Sequence, residues 1–439
     1  MLNHLDLTNV GPAASMRLDF GPRLNLLTGN NSLGKTFVLD VAWWALTQTW
    51  PGKDERQSMA WPLNGKRREA SITYSFDSKS GRDMAHSSKF DSEREVWPLK
   101  QARPANPGLV LYLRIDGGYS LWDPARNYWK KRSARNFEDP DRPKSFDFDM
   151  NDIWNGLRGD GNVYCEGLLS DWKTWRDRGQ LEYQLLHDVL SKLTPHQSDW
   201  MKLGEMTRIS LSDVREIPTL ETPYGPVPVT LASAGVKRIL ALAYLITWAH
   251  LEHVNACKLL GDNPTHRFTV LIDEVELHLH PQWQRVLLPA VLRVMKGLGT
   301  EGAIRAGEEL PSVQVIASTH APLVMASIEP EYSEHSDKVF HFDVRDGDIR
   351  VDEMQWAPQG DAVGWLVSEV FGLEQARSKD AEIAIEAAEA YMRGSVEEPQ
   401  PKFTNRESIQ KELLRVLPTH DPFWPRWIVS NGDRGNDQV

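Results

Sequence analysis

Apolar and polar positions divide the start of the chain into short strands followed by one helix. Leu2 to Leu7 alternates apolar and polar residues, and a second strand is predicted over Arg17 to Phe20, after Gly11-Pro12. Leu24 to Thr28 is a largely apolar run that is typical of a buried strand. A glycine-bearing turn then leads into an apolar helix predicted over Lys35 to Leu46. This succession of strand, turn and helix predicts an α/β fold.

The rest of the chain mixes further buried strands with helices of 3.6-residue periodicity. Strands are predicted over Ala70 to Ser75, Leu109 to Ile115, Phe268 to Ile272, Val313 to Ala317 and Val339 to Phe342. Helices are predicted over Leu168 to Trp175, Leu181 to Leu193, Ala234 to His253, Lys379 to Arg393 and Arg406 to Val416. The stretch from Glu138 to Gly161 is rich in Asp, Pro and Asn, which is typical of a loop.

The composition is that of a globular protein, with 41% hydrophobic and 25% charged residues among 439. The net charge of −11 argues against indiscriminate coating of nucleic acid, although it allows a local basic face. Cys165 and Cys257 are too few for a disulfide framework or a cysteine-only zinc site, which favours a reducing cytoplasm. The N-terminus lacks signal-peptide features, and no apolar run approaches the roughly 20 residues of a membrane span. We therefore expect a cytoplasmic protein without membrane contact.

A phosphate-binding loop is predicted between the strand at Leu24 and the helix at Lys35. The loop comprises Gly29, Asn30, Asn31, Ser32, Leu33, Gly34, Lys35 and Thr36, and it fits the pattern G-x-x-x-x-G-K-[ST]. Such glycines let backbone N–H groups converge on a phosphate at the positive end of the helix dipole. Lys35 is expected to reach the β- and γ-phosphates of ATP, and the Thr36 hydroxyl is expected to bind Mg²⁺.

Two acids close the predicted strand that ends at Ile272. Asp273 would be costly at the end of a buried strand without a cation, so we expect it to hold Mg²⁺ directly or through water. Glu274 follows at once and is expected to act as the general base toward the attacking water. Together with Lys35, these residues predict ATP hydrolysis.

Two further stretches complete the candidate site. His320 follows the buried strand Val313 to Ala317, where its imidazole can sense the γ-phosphate and act in catalysis. Ser233 and Gly235 precede a strongly apolar helix, and Ser233 is expected to cap that helix. These two residues have two interpretations: they form a plain helix cap, or they belong to a signature loop that clamps ATP bound to the other subunit. Their spacing alone does not favour one interpretation over the other.

The order of these elements resembles the ABC-type ATPase head shared by the RecF, SMC and OLD families. The resemblance covers about residues 1–345 and depends most on the stretches Asn25 to Thr36 and Glu274 to Pro281. It implies an α/β mixed sheet with helices on both faces, a helical insert that carries the signature loop, and a helical C-terminal tail. It also implies that two heads sandwich ATP, so that Ser233 and Gly235 act in trans. The signature reads Ala-Ser-Ala-Gly-Val where transporters have Leu-Ser-Gly-Gly-Gln.

Domain boundaries follow from the resemblance. Residues 1–137 are expected to form the N-terminal part of the ATPase lobe, and residues 254–345 its C-terminal part. Residues 138–253 are expected to form a helical lobe with the signature loop. Residues 346–439 are expected to form a helical and aromatic tail, in which Phe423 to Trp427 docks on the head or on a partner.

The resemblance is strongest to the ATPase of Septu-type anti-phage systems, notably around Asp116 to Asn127 and Ser233 to Leu245. It implies a slow, regulatory, Mg²⁺-dependent ATPase that forms homodimers or larger even-numbered assemblies. It also implies a separate effector nuclease of the HNH or Toprim type. No nuclease pattern follows His320, so we expect no intrinsic nuclease activity.

The alternative function is that of a RecF-like clamp in DNA repair or recombination, which would bind DNA itself. Candidate nucleic-acid contacts are Lys130, Lys131 and Arg132, and, more weakly, Lys66 to Arg68. Gln57 and Gln101 are the candidates for the glutamine loop. A zinc site at His278 and His280 lacks further ligands at suitable spacing.

Overall fold

The computed structural model describes residues 1–77, 85–99, 106–127, 143–179, 181–195, 201–306, 312–394, 403 and 405–432. The chain divides into two compact units, Met1–Ala362 and Val363–Val439. The predicted contacts at Lys130, Lys131 and Arg132, and the candidate Gln101, lie outside the described residues.

The first unit is built on a mixed eight-stranded sheet formed by the described residues. Its strands, in chain order, are β3 (Leu24–Gly29), β6 (Leu109–Leu113), β7 (Tyr119–Trp122), β8 (Phe146–Phe148), β14 (Arg267–Ile272), β15 (Ser312–Ser318), β16 (Asp337–Arg345) and β17 (Asp348–Met354). The order across the sheet is β17-β16-β3-β15-β14-β6-β7-β8. The five strands from β16 to β6 are parallel, whereas β17, β7 and β8 run antiparallel to their neighbours. The carboxyl ends of β3, β15 and β14 therefore meet at one edge of the sheet.

Smaller antiparallel sheets surround this one. Their strands are β1 (Leu2–Val10), β2 (Ala13–Asp19), β4 (Ser71–Phe76), β5 (His86–Lys89), β9 (Leu157–Gly159), β10 (Asn162–Cys165), β11 (Lys202–Thr207), β12 (Ile217–Thr222) and β13 (Gly225–Pro228). The four-stranded sheet β2-β1-β4-β5 and the eight-stranded sheet share one buried apolar core with the helix Lys35–Thr47. In that core, Trp44 stacks on Trp50 with ring centroids 5.5 Å apart.

Helices connect and cover the sheets of the first unit. They are α1 (Lys35–Thr47), α2 (Glu55–Ser58), α3 (Met150–Asn155), α4 (Leu168–Asp177), α5 (Leu181–Leu193), α6 (Ala234–Leu260), α7 (Pro281–Gln284), α8 (Leu287–Ala306) and α9 (Pro322–Ile328), with 3₁₀ turns at Arg67–Glu69, Val229–Leu231 and Glu329–Glu331. Helix α6 continues beyond the predicted end at His253, because its stop signal, left-handed Gly261, comes only after Leu260. The α/β fold class is confirmed, with a mixed sheet and packed helices.

The loop predicted over Glu138 to Gly161 is wrong where the structure describes it. This stretch contains β8, α3 and β9. The polar residues that indicated a loop form a capping box instead, since Asp149 caps α3 and Asp152 bonds back to the Asp149 backbone. Phe146 and Phe148 are buried, so this short strand belongs to the main sheet.

The second unit is helical. It contains α10 (Ala362–Leu366), whose first residue ends the first unit, together with α11 (Lys379–Arg393), α12 (Arg406–Val416) and α13 (Phe423–Gly432). The aromatic segment predicted to dock on the head or a partner lies within α13. Phe423 and Trp427 are 3% and 1% exposed in the core that α13 shares with α11 and α12. The docking prediction therefore needs correction, since these rings form the core of their own unit.

One buried ion pair fastens the start of β16 to β3. The Asp337 side chain is fully buried, and Arg23 Nε donates to its Oδ1 at 2.8 Å. We expect Asp337→Ala to lower the free energy of unfolding by about 3–5 kcal/mol, because it leaves Arg23 Nε and two backbone N–H groups without their acceptor. The measurement is urea unfolding. Asp343→Ala, which breaks an exposed pair with Arg345, is the control and should cost less than about 1 kcal/mol. Equal losses would contradict this role.

Candidate functional site

The predicted phosphate-binding loop connects β3 to α1. Gly29 has φ +118°, and a Cβ there would collide with the carbonyl oxygen of Phe342 on the neighbouring strand β16. Gly34, directly before α1, has φ +97°, which is also favourable only for glycine. Asn30, Asn31 and Ser32 are exposed between them. The loop is thus an open turn at the N-terminus of a 13-residue helix, which is suited to an anion.

Lys35 turns back into this loop. Its Nζ donates to the carbonyl oxygens of Gly29 at 2.9 Å and Asn30 at 2.6 Å. Burial lowers the pKa of Lys35 to about 8, against the opposing charges of Asp273 and Glu274. The ammonium group is therefore held at the mouth of the loop, close to the acids at the end of β14.

Asp273 is 1% exposed and lies at the end of β14. Ser318 Oγ, at the end of β15, donates to Asp273 Oδ1 at 2.6 Å, and the Glu274 N–H donates to the same Ser318 oxygen at 2.7 Å. Burial raises the pKa of Asp273, while Ser318 and Thr36 oppose that shift by hydrogen bonding and Lys35 by its charge. Asp273 Oδ2 is buried and accepts no hydrogen bond of standard geometry from the described residues. A buried carboxylate oxygen without a donor, beside the Thr36 hydroxyl, fits a divalent cation.

Glu274 occupies a strained turn. Its φ is +48°, a region that non-glycine residues rarely adopt and that often marks functional sites. Buried Arg238 on α6 donates through Nη2 to the carbonyl oxygens of Asp273 at 3.4 Å and Glu274 at 3.3 Å. The turn is therefore held from two sides, by Ser318 from the sheet and by Arg238 from α6.

His320 lies beside these residues. Burial, followed by the charge of Lys35, lowers the pKa of His320 to about 4, so the imidazole is neutral near pH 7. The Glu276 carboxylate accepts hydrogen bonds from the His320 backbone N–H and from Thr319 Oγ1, the latter at 2.8 Å. Burial raises the pKa of Glu276. Glu276 thus fixes the segment that carries His320.

The signature residues lie at the start of α6. Ser233 caps the helix, and its Oγ accepts from the Val236 N–H at 3.4 Å. A Cβ on Gly235 would be 2.8 Å from the carbonyl oxygen of His278, so this helix start packs closely against the turn after Glu274. Among the described residues, no hydrogen bond joins Ser233 to the loop at 29–36. Action in trans stays a prediction.

The structure brings together Lys35, Thr36, Asp273, Glu274 and His320, which sequence reasoning selected. Sequence reasoning missed the roles of Arg238 and Ser318, and it did not predict the contact between Glu276 and His320. Ser318 had a signal, since a hydroxyl directly follows the apolar run of β15. Arg238 had a weaker one, a cation directly before the long apolar stretch of α6 that begins at Ile239.

The remaining candidates form other contacts or are exposed. Lys66 and Arg67 form ion pairs with Glu69 and Glu95, which gives them partners within the protein. Gln57 is exposed on α2. His278 and His280 are exposed. Among the described residues, the group whose side chains lie close enough together to hold a metal ion is Glu374, Glu382 and Glu386, which does not include these histidines. No helix in the described part of the chain is long and apolar enough to span a membrane.

Comparisons with known proteins agree with the resemblance to Septu-type ATPases. The Septu protein PtuA of Bacillus thuringiensis is 23% identical, over 96% of this chain and 95% of that protein. The retron Vc95 probable ATPase of Vibrio cholerae is 27% identical, over 51% of this chain and 46% of that protein. Among solved structures, the SMC head domain from Thermotoga maritima aligns with 81% of this chain and 99% of its own, with 13% identity and a TM-score of 0.38.

A protein-family model covers the candidate site as a whole. It matches residues 24–326, which begin with β3 and end within α9. The matched span contains the phosphate-binding loop, the Asp273-Glu274 pair and His320. Because this span is more than half of the chain, the protein belongs to the family described as "AAA domain, putative AbiEii toxin, Type IV TA system".

Proposed function

We propose that this protein is a Mg²⁺-dependent ATPase that dimerises around ATP and controls a separately encoded effector nuclease in bacterial anti-phage defence. One observation carries the ATPase proposal: the Lys35 ammonium group and the buried Asp273 carboxylate come from distant parts of the sequence but lie at the same edge of the sheet, close enough for their charges to interact. The end-to-end similarity to the Septu protein PtuA supports the role in defence.

The chain's own groups account for triphosphate binding. Lys35 Nζ now rests on the carbonyl oxygens of Gly29 and Asn30, which are neutral acceptors. A phosphate oxygen is a stronger, charged acceptor for the same ammonium group. Backbone N–H groups at the start of α1 add further donors. The loop is thus prepared to exchange its internal hydrogen bonds for bonds to phosphate.

The residues around Asp273 fit Mg²⁺. The donor set is the Thr36 hydroxyl and the buried Asp273 carboxylate, whose Oδ2 accepts no hydrogen bond of standard geometry from the described residues. When bound, Mg²⁺ supplies positive charge that stabilises the phosphoryl group during transfer. Ser318 keeps the carboxylate oriented by donating to Oδ1, so Oδ2 stays free for the ion.

Glu274 is the proposed general base. It is half-buried, follows Asp273 directly and interacts with the Lys35 charge, which supports a role in activating the attacking water. His320 carries no charge near pH 7, so it can donate one hydrogen bond and accept another without repelling Lys35. Arg238 holds the backbone of the Asp273-Glu274 turn and acts as a positioning residue.

Helix α6 connects the signature residues to this turn. Arg238 contacts the turn through its side chain, and Gly235 packs against His278 four residues after Glu274. A contact that a second head makes at Ser233 would therefore act on the same helix that positions the base. This arrangement supports coupling of dimer closure to hydrolysis.

Dimerisation has a direct test in the Glu274→Gln background, where ATP should stay intact. We expect ATP and Mg²⁺ to double the mass measured by light scattering after gel filtration. Ser233→Arg should abolish this association, because Ser233 is exposed at the proposed interface. ATP binding itself should persist, since Ser233 makes no hydrogen bond to the loop among the described residues.

The matched control is Ser191→Arg, which adds the same charge at another exposed helix position on α5. This variant should associate like the parent protein. A mass that ATP does not change, or equal effects of both substitutions, would contradict a sandwich that uses Ser233.

The effector is tested by co-purification. The protein is purified together with the nuclease encoded by an adjacent reading frame, once with ATP and once with ADP, and the amount of nuclease recovered is compared. Equal recovery in both nucleotides would contradict control by nucleotide state.

A further inference from the structure

A cavity lies apart from the phosphate-binding loop, between strand β10 and helices α4, α5 and α6. Its volume is about 230 Å³. This is smaller than the roughly 300–1,000 Å³ of sites for drug-sized ligands, and it suits one side chain or a small amine. None of the residues that line it, within the part of the chain that the structure describes, is Lys or Arg.

Negative charge converges on this cavity. Its lining includes four carboxylates: Glu166 pairs with Arg158 and Glu252 with Arg126, whereas Asp171 and Glu182 have no ion pair among the described residues. Burial raises the pKa of Asp171 to about 6, and the charges of Glu166 and Glu252 add to the shift. Mutual repulsion of this kind is relieved when a cation binds.

The Asp171 carboxylate is already oriented. Tyr244, which is fully buried on α6, donates its hydroxyl hydrogen to Asp171 Oδ2 at 2.6 Å. Cys165 Sγ lies 3.1 Å from the same Tyr244 oxygen. Asp171 Oδ1 accepts no hydrogen bond from the described residues. The carboxylate is thus fixed by one oxygen, and its other oxygen is available to a donor.

Two indole rings add a surface for organic cations. Trp175 and Trp248 both line the cavity. Trp248 already takes part in such an interaction, because the Arg126 guanidinium carbon lies 5.2 Å from its ring centroid. A cation over an aromatic face is attracted by the ring quadrupole, and a guanidinium group also stacks well. A bare metal ion would not use these rings, so the lining favours an organic cation.

We propose that this cavity binds a guanidinium or alkylammonium group, with Asp171 as the main ion-pair partner and Trp175 and Trp248 as the aromatic walls. The group is either an Arg or Lys side chain of a protein partner or a free polyamine. The proposal is independent of nucleotide binding, because its residues lie outside the loop at 29–36 and the turn at 273–276.

Isothermal titration of the full-length protein tests the proposal with two probes, agmatine and the capped peptide Gly-Arg-Gly. We expect at least one probe to bind with a Kd of about 1 mM or tighter, and Asp171→Asn to weaken it about tenfold or more. Neutral capped Gly-Gln-Gly should not bind. The variant keeps a hydrogen-bond acceptor for Tyr244, so its melting temperature and its ATP turnover should match those of the parent protein.

Glu374→Gln is the control for the loss of one negative charge outside the cavity, since Glu374 belongs to an exposed acidic cluster in the second unit. It should leave probe binding unchanged. If only the peptide binds, the site is assigned to an Arg or Lys side chain of a protein partner. If agmatine binds, alone or as well as the peptide, the site is assigned to a cationic group that can come from a partner's side chain or from a free polyamine. Absence of binding by both probes, or equal weakening by Asp171→Asn and Glu374→Gln, would overturn the proposal, whatever the ATPase assays give.

Discussion

Glu274→Gln is expected to lower the turnover number for ATP by about 10²–10⁴-fold while leaving ATP bound, because a positioned general base contributes a factor of this size. The glutamine side chain has nearly the same shape but cannot accept the proton of the attacking water. The Asp273 carboxylate, the Ser318 hydrogen bonds and Lys35 are unchanged in this variant. Phosphate release under saturating ATP measures turnover, and equilibrium titration with a fluorescent ATP analogue measures binding.

The matched control is Glu216→Gln, which removes an exposed carboxylate that pairs with Lys173. It should hydrolyse ATP at the parental rate. If Glu274→Gln kept parental turnover, or lost binding and turnover by the same factor, Glu274 would not be the base, and another group would have to activate the water.

Lys35→Met is expected to weaken ATP binding by about 10²–10³-fold, because each hydrogen bond from a charged donor is worth about 1.5–3 kcal/mol. Methionine fills a similar volume but offers no donor to a phosphate oxygen. In the parental protein, ATP with Mg²⁺ should raise the melting temperature by mass action, and in the variant this shift should vanish. Differential scanning fluorimetry with and without nucleotide measures both effects.

The Lys35→Met variant also removes the internal hydrogen bonds to Gly29 and Asn30, so its melting temperature without nucleotide must be compared with the parental value. Lys89→Met, at an exposed position at the end of β5, is the control and should keep the full nucleotide-induced shift. A parental shift in Lys35→Met would contradict phosphate binding by this loop.

The sequence was most informative where a local pattern and a chemical constraint coincide. Strands β3, β14 and β15 are largely buried and contain apolar stretches. Strand β3 ends at Gly29, and Asp273 and His320 follow β14 and β15 within two residues. Because parallel strands bring their carboxyl ends to one edge, a correct reading of these three runs was sufficient to assemble the site.

Long-range contacts escaped sequence reasoning. Arg238 reaches Glu274 across 36 positions, and Glu276 reaches His320 across 44. Hydrophobic periodicity in the sequence does not predict such contacts, since both contacts depend on how α6 and β15 pack around the end of β14. The short elements β8 and α3 escaped for another reason: the Asp residues that cap a helix have the same composition as a loop.

The aromatic tail illustrates the same limit. Phe423 and Trp427 stand in a proline-containing segment, which indicated that the rings need a surface to pack on. The structure supplies that surface within the second unit, from α11 and α12. Sequence alone identified the need for burial but could not locate the partner surface. Predictions that use these rings as a handle for an effector lose their basis.

The most direct measurement is the anomalous scattering of Mn²⁺ in crystals of Glu274→Gln grown with ATP. We predict one strong Mn²⁺ peak per chain beside Thr36 Oγ1, with Asp273 as a ligand directly or through one water. We also expect Lys35 Nζ to have moved from the Gly29 and Asn30 carbonyls onto the triphosphate. A nucleotide bound elsewhere on the chain, or a metal peak remote from both Thr36 and Asp273, would contradict this prediction.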